Sequence, residues 1–273
     1  MRKLLSFLQT LKQQLVQISK RQRLILAAAA LAFILFTMQV TAMQIQLPFI
    51  LFLAFSSAVL SAWALHEDIA GIEWLTLLTL PVMYSVSVGL SYYLLPPSWN
   101  MRFLVAGIYA FTMYGLLLTE NIYNVAAMRT IELLRAATAI GFLLTLLTAF
   151  LLFNTIFSFH LGVLQNTFLI FLVTCFLVLQ NVWSIELEPF VSPRILLYTL
   201  TLGLVAAEVS FSLSFWPSVT TLRSIFIVAV LYVVLGITYQ IYTKRPTMRT
   251  NIEYIVYGIL VLLGMILATR WSG

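Results

Sequence analysis

Long apolar runs separated by short polar stretches are the main pattern of this sequence. Nine runs approach the roughly 20 residues that a helix needs to cross a bilayer. They cover residues 24–43, 46–65, 74–95, 103–119, 136–157, 163–183, 195–216, 222–242 and 252–269. Their apolar residues follow one another without the alternation of a barrel strand, which indicates helices. Only residues 158–162 separate the fifth run from the sixth, so the pattern predicts eight to nine transmembrane helices.

The polar stretches between these runs are short, and none is long enough to fold as a separate domain. The sequence therefore predicts an all-α polytopic integral membrane bundle, with residues 24–273 as a single transmembrane domain. Small residues four apart, such as Ser57 with Ser61 and Ser85 with Gly89, are typical of closely packed membrane helices.

Residues 1–23 have a different pattern, with Leu4, Leu8, Leu11 and Leu15 on one side of a helix and basic residues elsewhere. This pattern predicts an amphipathic N-terminal helix. It either lies in the interface against anionic lipid, or packs on the bundle or on another copy of the chain. A cleaved signal peptide is a third interpretation, but the basic region is too long and the apolar part too extended for one.

Composition agrees with a membrane-embedded chain. Hydrophobic residues make up 62% of the sequence and charged residues 9%, against about half and about a quarter in soluble domains. Cys175 is the only cysteine, which excludes an internal disulfide and a multi-cysteine metal site. The topology places the two histidines, His66 and His160, on opposite sides of the membrane, so we expect no metal site. We also expect no cofactor and no nucleic-acid partner.

The distribution of basic residues predicts the orientation. With the N-terminus in the cytoplasm, twelve of the fifteen Lys and Arg residues fall on the cytoplasmic side, as the positive-inside rule requires. Nine spans then place the C-terminus outside. No Asn-x-Ser/Thr glycosylation acceptor occurs in the chain, which favours the cytoplasmic membrane of a bacterium.

The first candidate site is a stripe of polar residues in the seventh run. Glu208 lies well inside that run, and Thr201 and Ser212 share its helical face. A charged group in a membrane costs about 2.5–3.5 kcal/mol on insertion scales, so we expect this stripe to face the bundle interior. Glu208 is then either a proton- or ion-handling carboxylate or a hydrogen-bonding contact between helices.

The second candidate site surrounds the end of the fourth run, on the predicted cytoplasmic side. It holds two acids, two amides and two arginines, and its members are Glu120, Asn121, Asn124, Arg129, Glu132 and Arg135. The two arginines can hold a lipid phosphate or another anion. The alternative is a helix end whose charges pair with one another and determine topology.

Three hypotheses for the function remain open. The leading one is a non-enzymatic membrane component that acts through a partner protein, a second copy or lipid. The others are a transporter of a small molecule, ion or lipid that uses Glu208, and an intramembrane enzyme on a lipid-linked substrate. The sequence carries no Gly-rich phosphate loop, no G-x-S-x-G and no H-E-x-x-H, which are motifs of common enzyme classes. The enzyme hypothesis is therefore the least favoured of the three.

Overall fold

The computed structural model describes residues 19–41, 46–66, 73–126, 133–188, 190–243 and 248–269. These ranges contain nine helices that are long and apolar enough to cross a membrane. They are α1 (Lys20–Thr41), α2 (Gln46–Leu65), α3 (Glu73–Tyr92), α4 (Trp99–Ala126), α5 (Leu134–Ser158), α6 (Val163–Glu186), α7 (Pro193–Leu213), α8 (Thr220–Tyr242) and α9 (Met248–Ala268). The predicted all-α polytopic membrane bundle is confirmed.

Each predicted span overlaps one helix, and the largest difference in an end is at α4. The fourth apolar run ends at residue 119, whereas α4 continues to Ala126. The extra turns contain polar residues that are buried in the bundle, so the helix continues although its hydropathy falls. The fifth and sixth spans are separate helices, because α5 ends at Ser158 and α6 begins at Val163. The predicted amphipathic helix at residues 1–23 lies outside the described residues, except that Lys20 to Arg23 begin α1.

The helices pack in two groups. In the first, α1 contacts α2 and α4, and α2 contacts α3 and α4. In the second, α5 contacts α6 and α8, and α7 packs between α6 and α8. The groups meet where α3 and α4 contact α5 and where α3 contacts α6, while α9 packs on α8. The junction between the two groups is therefore formed by α3, α4, α5 and α6.

Small and hydroxyl side chains bring α2, α3 and α4 together. Ser85 Oγ of α3 lies 2.9 Å from Ser57 Oγ of α2 and 2.7 Å from Tyr109 Oη of α4. A Cβ on Gly89 would lie 3.1 Å from a methyl group of Leu53, so this glycine lets the two helices approach closely. These are the close contacts that small residues four apart favour in membrane helices.

The bundle has two chemically different ends. We call the end at which α1, α3, α5, α7 and α9 begin the basic end. There Arg23 Nη1 lies 3.3 Å from His66 Nδ1, and the Arg194 guanidinium lies 4.6 Å from the centre of the Tyr242 ring. At the other end, which we call the far end, Trp216 Nε1 donates a hydrogen bond of 2.9 Å to Thr269 Oγ1.

Candidate functional site

The Glu120 carboxyl lies completely inside the bundle, in the last two turns of α4. Its Oε1 accepts a hydrogen bond of 2.9 Å from Gln180 Nε2 of α6. Its Oε2 has no hydrogen-bond partner among the described residues. The exposed fraction is 0% for Glu120 and 1% for Gln180, so bulk water does not reach this contact. A buried oxygen without a partner costs free energy until a proton, a water molecule or a ligand completes its hydrogen bonding.

Amide oxygens of Gln180 and of two asparagines in the same turns of α4 also lack partners. In the part of the chain that the structure describes, Asn121 Oδ1, Asn124 Oδ1 and Gln180 Oε1 accept no hydrogen bond. The orientation of two of these amides is fixed, because Asn124 Nδ2 donates to Leu65 O at 3.2 Å and Gln180 Nε2 donates to Glu120. Acceptors therefore outnumber donors here, and the missing component of the site is a hydrogen-bond donor.

Tyr123 connects this polar set to α5. Its hydroxyl is buried and donates to Ala137 O at 3.0 Å. Gly141 makes the contact possible, because a Cβ at that position would overlap the Tyr123 hydroxyl. Tyr123 thus lies between the buried carboxyl and the second group of helices.

A cleft of about 200 Å³ lies between α5, α6, α8 and α9. Arg135 borders it and is exposed, and Asn181 lines it with an exposed fraction of 7%. Asn181 follows Gln180 in α6, and its Nδ2 lies 3.5 Å from Thr145 Oγ1. The full lining combines one cation, hydroxyl and amide groups and an apolar wall, and consists of Arg135, Thr138, Ala139, Phe142, Asn181, Gly236, Tyr239 and Tyr254.

The structure brings part of the second predicted site together. Glu120 and Asn124 share the buried face of α4, and Asn121 is half-buried beside them. Arg135 lies across the α4–α5 connection and borders the cleft. Arg129 and Glu132 lie outside the described residues. The role of this set as an anion or lipid site remains a prediction.

Gln180 and Asn181 were not predicted as site residues, although the sequence carries a signal for them. They are adjacent amides inside the apolar sixth run, and polar side chains in a membrane helix mostly face other helices. Their partners could not be predicted, because the contact between Gln180 and Glu120 joins residues sixty positions apart.

The expected orientation of the Glu208 stripe is wrong. Glu208, Thr201 and Ser212 all lie on the exposed face of α7. The buried face of that helix consists of small and apolar residues and includes Gly203, Ala206 and Ser210. The helix also ends at Leu213, only five residues after Glu208, so this carboxyl lies close to the far end of the bundle.

Close packing of α7 on α6 explains this orientation. A Cβ on Gly203 would lie 2.5 Å from Cys175 Sγ and 3.2 Å from the Phe171 ring, so α6 occupies the small-residue face. Glu208 and Ser212 instead border a shallow groove of about 340 Å³ on the outer surface, together with Thr167 of α6. This groove and the Glu120 set lie towards opposite ends of the bundle. The role of Glu208, Thr201 and Ser212 as a polar site remains a prediction.

The fold and these contacts define an all-α polytopic integral membrane protein with a polar core near its basic end. Comparison with protein-family models, curated proteins and solved structures finds no match for this chain. A functional interpretation therefore depends on the chemistry of the site itself.

Proposed function

We propose that this protein is a proton-coupled transporter of a small organic anion. Glu120 is the proton carrier, and the cleft bordered by Arg135 is the anion site. This is the transporter hypothesis of the sequence analysis, with Glu120 in place of Glu208. The observation that supports it is a fully buried carboxyl with an unpaired Oε2. Tyr123, three residues further along α4, donates to Ala137 O, and the next residue, Thr138, lines the cleft that Arg135 borders.

A proton is the species that best completes the Glu120 carboxyl. An ionised carboxyl inside a membrane bundle costs several kcal/mol unless a cation balances it. In the described segments no Lys or Arg forms an ion pair with Glu120. A proton removes the charge and converts the carboxyl into a donor, and the unpaired amide oxygens around it are acceptors.

The cleft suits a small organic anion. Its volume of about 200 Å³ is below the roughly 300–1,000 Å³ of pockets for drug-sized ligands. Arg135 supplies a planar set of donors that matches a carboxylate, and Asn181 with Tyr239 supplies further hydrogen bonds. Phe142 and Ala139 provide the apolar contact that an inorganic ion does not need.

A short path in the fold joins the two sites. Tyr123 lies three residues from Glu120 on α4 and donates to Ala137 O, and Thr138 beside Ala137 lines the cleft. A bound anion favours a nearby proton, and by linkage the proton favours the anion to the same degree. Coupled binding of this kind is what a proton-driven anion carrier requires.

Transport in liposomes tests this proposal. The purified full-length protein is reconstituted and assayed with labelled lactate and succinate, both for accumulation driven by an inward proton gradient and for counterflow without one. We expect Glu120→Gln to retain counterflow and to lose proton-driven accumulation, because the amide keeps the shape but cannot carry a proton. Arg135→Gln should lose both activities, and Glu208→Gln is the matched control that should keep both.

Proton-driven accumulation by the Glu120→Gln variant at the wild-type level would contradict the role of Glu120. Counterflow that is unchanged in Arg135→Gln would contradict the anion site. Thermal unfolding of each purified variant separates these results from a failure to fold.

We further propose that the basic end faces the cytoplasm of a bacterial cell, with the N-terminus inside and the C-terminus outside. The support is the excess of Lys and Arg in connections at that end. The amphipathic segment at residues 1–23 would then lie against anionic lipid of the inner leaflet.

A second candidate function is a non-enzymatic component that acts through a membrane partner, and α9 is the feature that favours it. Met265 is buried, while most residues of α9 are exposed or half-buried. A second copy that covers α9 would cross-link through a cysteine placed at Leu260, in a Cys175→Ser background and at dilute protein-to-lipid ratios. The enzyme hypothesis gains no comparable support, because Glu120 is enclosed rather than open to lipid.

A further inference from the structure

A second and larger cavity lies at the far end, away from Glu120 and Arg135. Its volume is about 520 Å³. The α5–α6 connection forms one wall with His160, and the α7–α8 connection forms the other with Ser218. Asn166 of α6 and Arg223 of α8 line it from within the helices. Two connections and two helices thus bring a cation, an imidazole, an amide and a hydroxyl together.

Arg223 is held in place but keeps donors available. Its Nη2 donates to Trp216 O at 2.9 Å, and its Nε donates to Ser218 Oγ at 3.4 Å. These bonds use two of the five N–H groups of the guanidinium. Across the ranges that the structure describes, no carboxylate forms an ion pair with Arg223. An oriented guanidinium without an acidic partner, on the wall of a cavity, is a site for an anion.

Asn166 requires a hydrogen-bond donor from the ligand, whereas Arg223 requires an acceptor. Its exposed fraction is 7%, so more than nine-tenths of the residue is buried. Its Nδ2 donates to Leu161 O at 3.2 Å, which fixes the orientation of the amide. Its Oδ1 is then buried without a partner among the described residues, in a residue that lines the same cavity. This oxygen needs a hydrogen-bond donor, which a simple anion does not carry.

His160 is positioned by the backbone of the α5–α6 connection. It has a φ of 51°, in the left-handed region that few non-glycine residues adopt. Its Nδ1 lies 2.8 Å from Ser158 O, so Nδ1 carries the hydrogen and donates it. This bond determines the tautomer and leaves Nε2 as the second hydrogen-bonding atom of a ring that lines the cavity.

We propose that the far-end cavity binds a carboxylate or phosphate that carries an adjacent hydroxyl or ammonium group. The Arg223 guanidinium binds the anionic group, and Asn166 Oδ1 accepts the hydrogen bond from the adjacent donor. A free hydroxy acid, a free amino acid and the headgroup of phosphatidylethanolamine share this chemistry. The inference uses residues at the opposite end from Glu120 and holds whether or not the protein is a transporter.

Matched pairs of ligands test the requirement for a donor. Lactate is compared with propionate, and phosphoethanolamine with ethyl phosphate, by titration calorimetry on the full-length Arg135→Gln variant in detergent, so that only the far-end cavity is measured. We expect the ligand with the donor to bind roughly tenfold more tightly in at least one pair, because its partner leaves Asn166 Oδ1 buried and unpaired. Nanodiscs with and without phosphatidylethanolamine distinguish a lipid headgroup from a free ligand. If the headgroup occupies the cavity, phosphoethanolamine should bind more weakly in nanodiscs that contain this lipid. If the natural ligand is free, phosphoethanolamine should bind equally well in both.

Variants assign the effect to this cavity. In an Arg135→Gln background, which removes the anion site at the basic end, Arg223→Gln should abolish binding of both members of a pair. Asn166→Leu should remove the tenfold difference while leaving the weaker affinity in place. Arg102→Gln is the matched control, because Arg102 is another arginine of the far end but donates to Tyr92 and stacks on Trp99.

In the Arg135→Gln background, binding that Arg223→Gln leaves unchanged would overturn the proposal, as would equal affinity within both pairs or no binding of any of the four ligands. Retained binding by Arg135→Gln would separate this cavity from the anion site at the basic end. If Asn166→Leu unfolds, Asn166→Ala removes the same acceptor with a smaller side chain.

Discussion

Removal of the Gln180 amide is the perturbation that most directly measures the energetics of the buried carboxyl. Gln180→Leu deletes the donor of the 2.9 Å bond to Glu120 Oε1. Because Oε2 already lacks a partner and the carboxyl is 0% exposed, both oxygens are then buried and unpaired. Leaving a buried group unsatisfied costs about 1–3 kcal/mol, and more if the group is charged. The unfolding temperature should fall by roughly 3 °C for each kcal/mol.

The double variant Glu120→Leu/Gln180→Leu gives the sharper result. Replacing both partners of a buried hydrogen bond by apolar groups of similar size is nearly neutral, so the second substitution should restore most of the stability lost in the first. Gln39→Leu is the control, because Gln39 is a buried glutamine whose amide atoms have no partner in the described part of α1. It should be neutral or stabilising.

Thermal unfolding of the purified proteins in one detergent, followed by intrinsic fluorescence, provides the measurement. A Gln180→Leu variant as stable as the wild type would mean that the carboxyl does not depend on this bond. A double variant less stable than the single one would refute the assignment of the loss to an unpaired Glu120.

Three further predictions concern packing, the surface of α7 and topology. Gly141→Ala should lower the free energy of unfolding by about 1–3 kcal/mol, because the added Cβ overlaps the Tyr123 hydroxyl. Thermal unfolding checks this, and an unfolding temperature equal to that of the wild type would contradict the close contact. Glu208→Leu should leave the stability of the isolated protein unchanged or raise it, because the side chain is exposed on α7; a large loss by the same measurement would place it in the interior after all. In a Cys175→Ser background, a cysteine at Trp99 should react with an impermeant thiol reagent in intact cells, and one at Met248 should be protected; the reverse pattern would invert the proposed orientation.

Hydropathy was sufficient to predict the helices because a bilayer imposes one strong requirement, an apolar run of fixed length. The end of α4 was the least predictable boundary for the same reason. Glu120 and Asn124 lower the hydropathy and indicate a helix end, but both are buried against other helices, and α4 continues to Ala126.

The face that a membrane helix presents to its neighbours was harder to predict. In α7 the polarity of Glu208 indicated an interior face, but the small residues around Gly203 form the contact with α6. Lipid and protein interiors are similarly apolar, so close van der Waals packing at small residues decides which face is buried. A carboxyl near a helix end can reach the interface along the surface, which lowers the cost of its exposure.

The partners of the site residues depend on contacts between distant parts of the chain. Glu120 and Asn124 were recognised from their position one turn apart on a helix. Gln180 joins them only because α4 and α6 flank α5 in the bundle. One sequence carries no signal for that pairing, whereas the local signals of polarity and spacing are present in it.

The most direct test of the central claim is to detect the proton on Glu120. Infrared difference spectra of the wild type and Glu120→Gln in lipid, at neutral pH and with and without lactate, isolate the stretching band of a protonated carboxyl. The account predicts a band that is present in the wild type, absent from Glu120→Gln, retained in Glu208→Gln and shifted when the anion binds. A wild-type spectrum without a protonated-carboxyl band that depends on Glu120 would contradict the claim that this residue carries the transported proton.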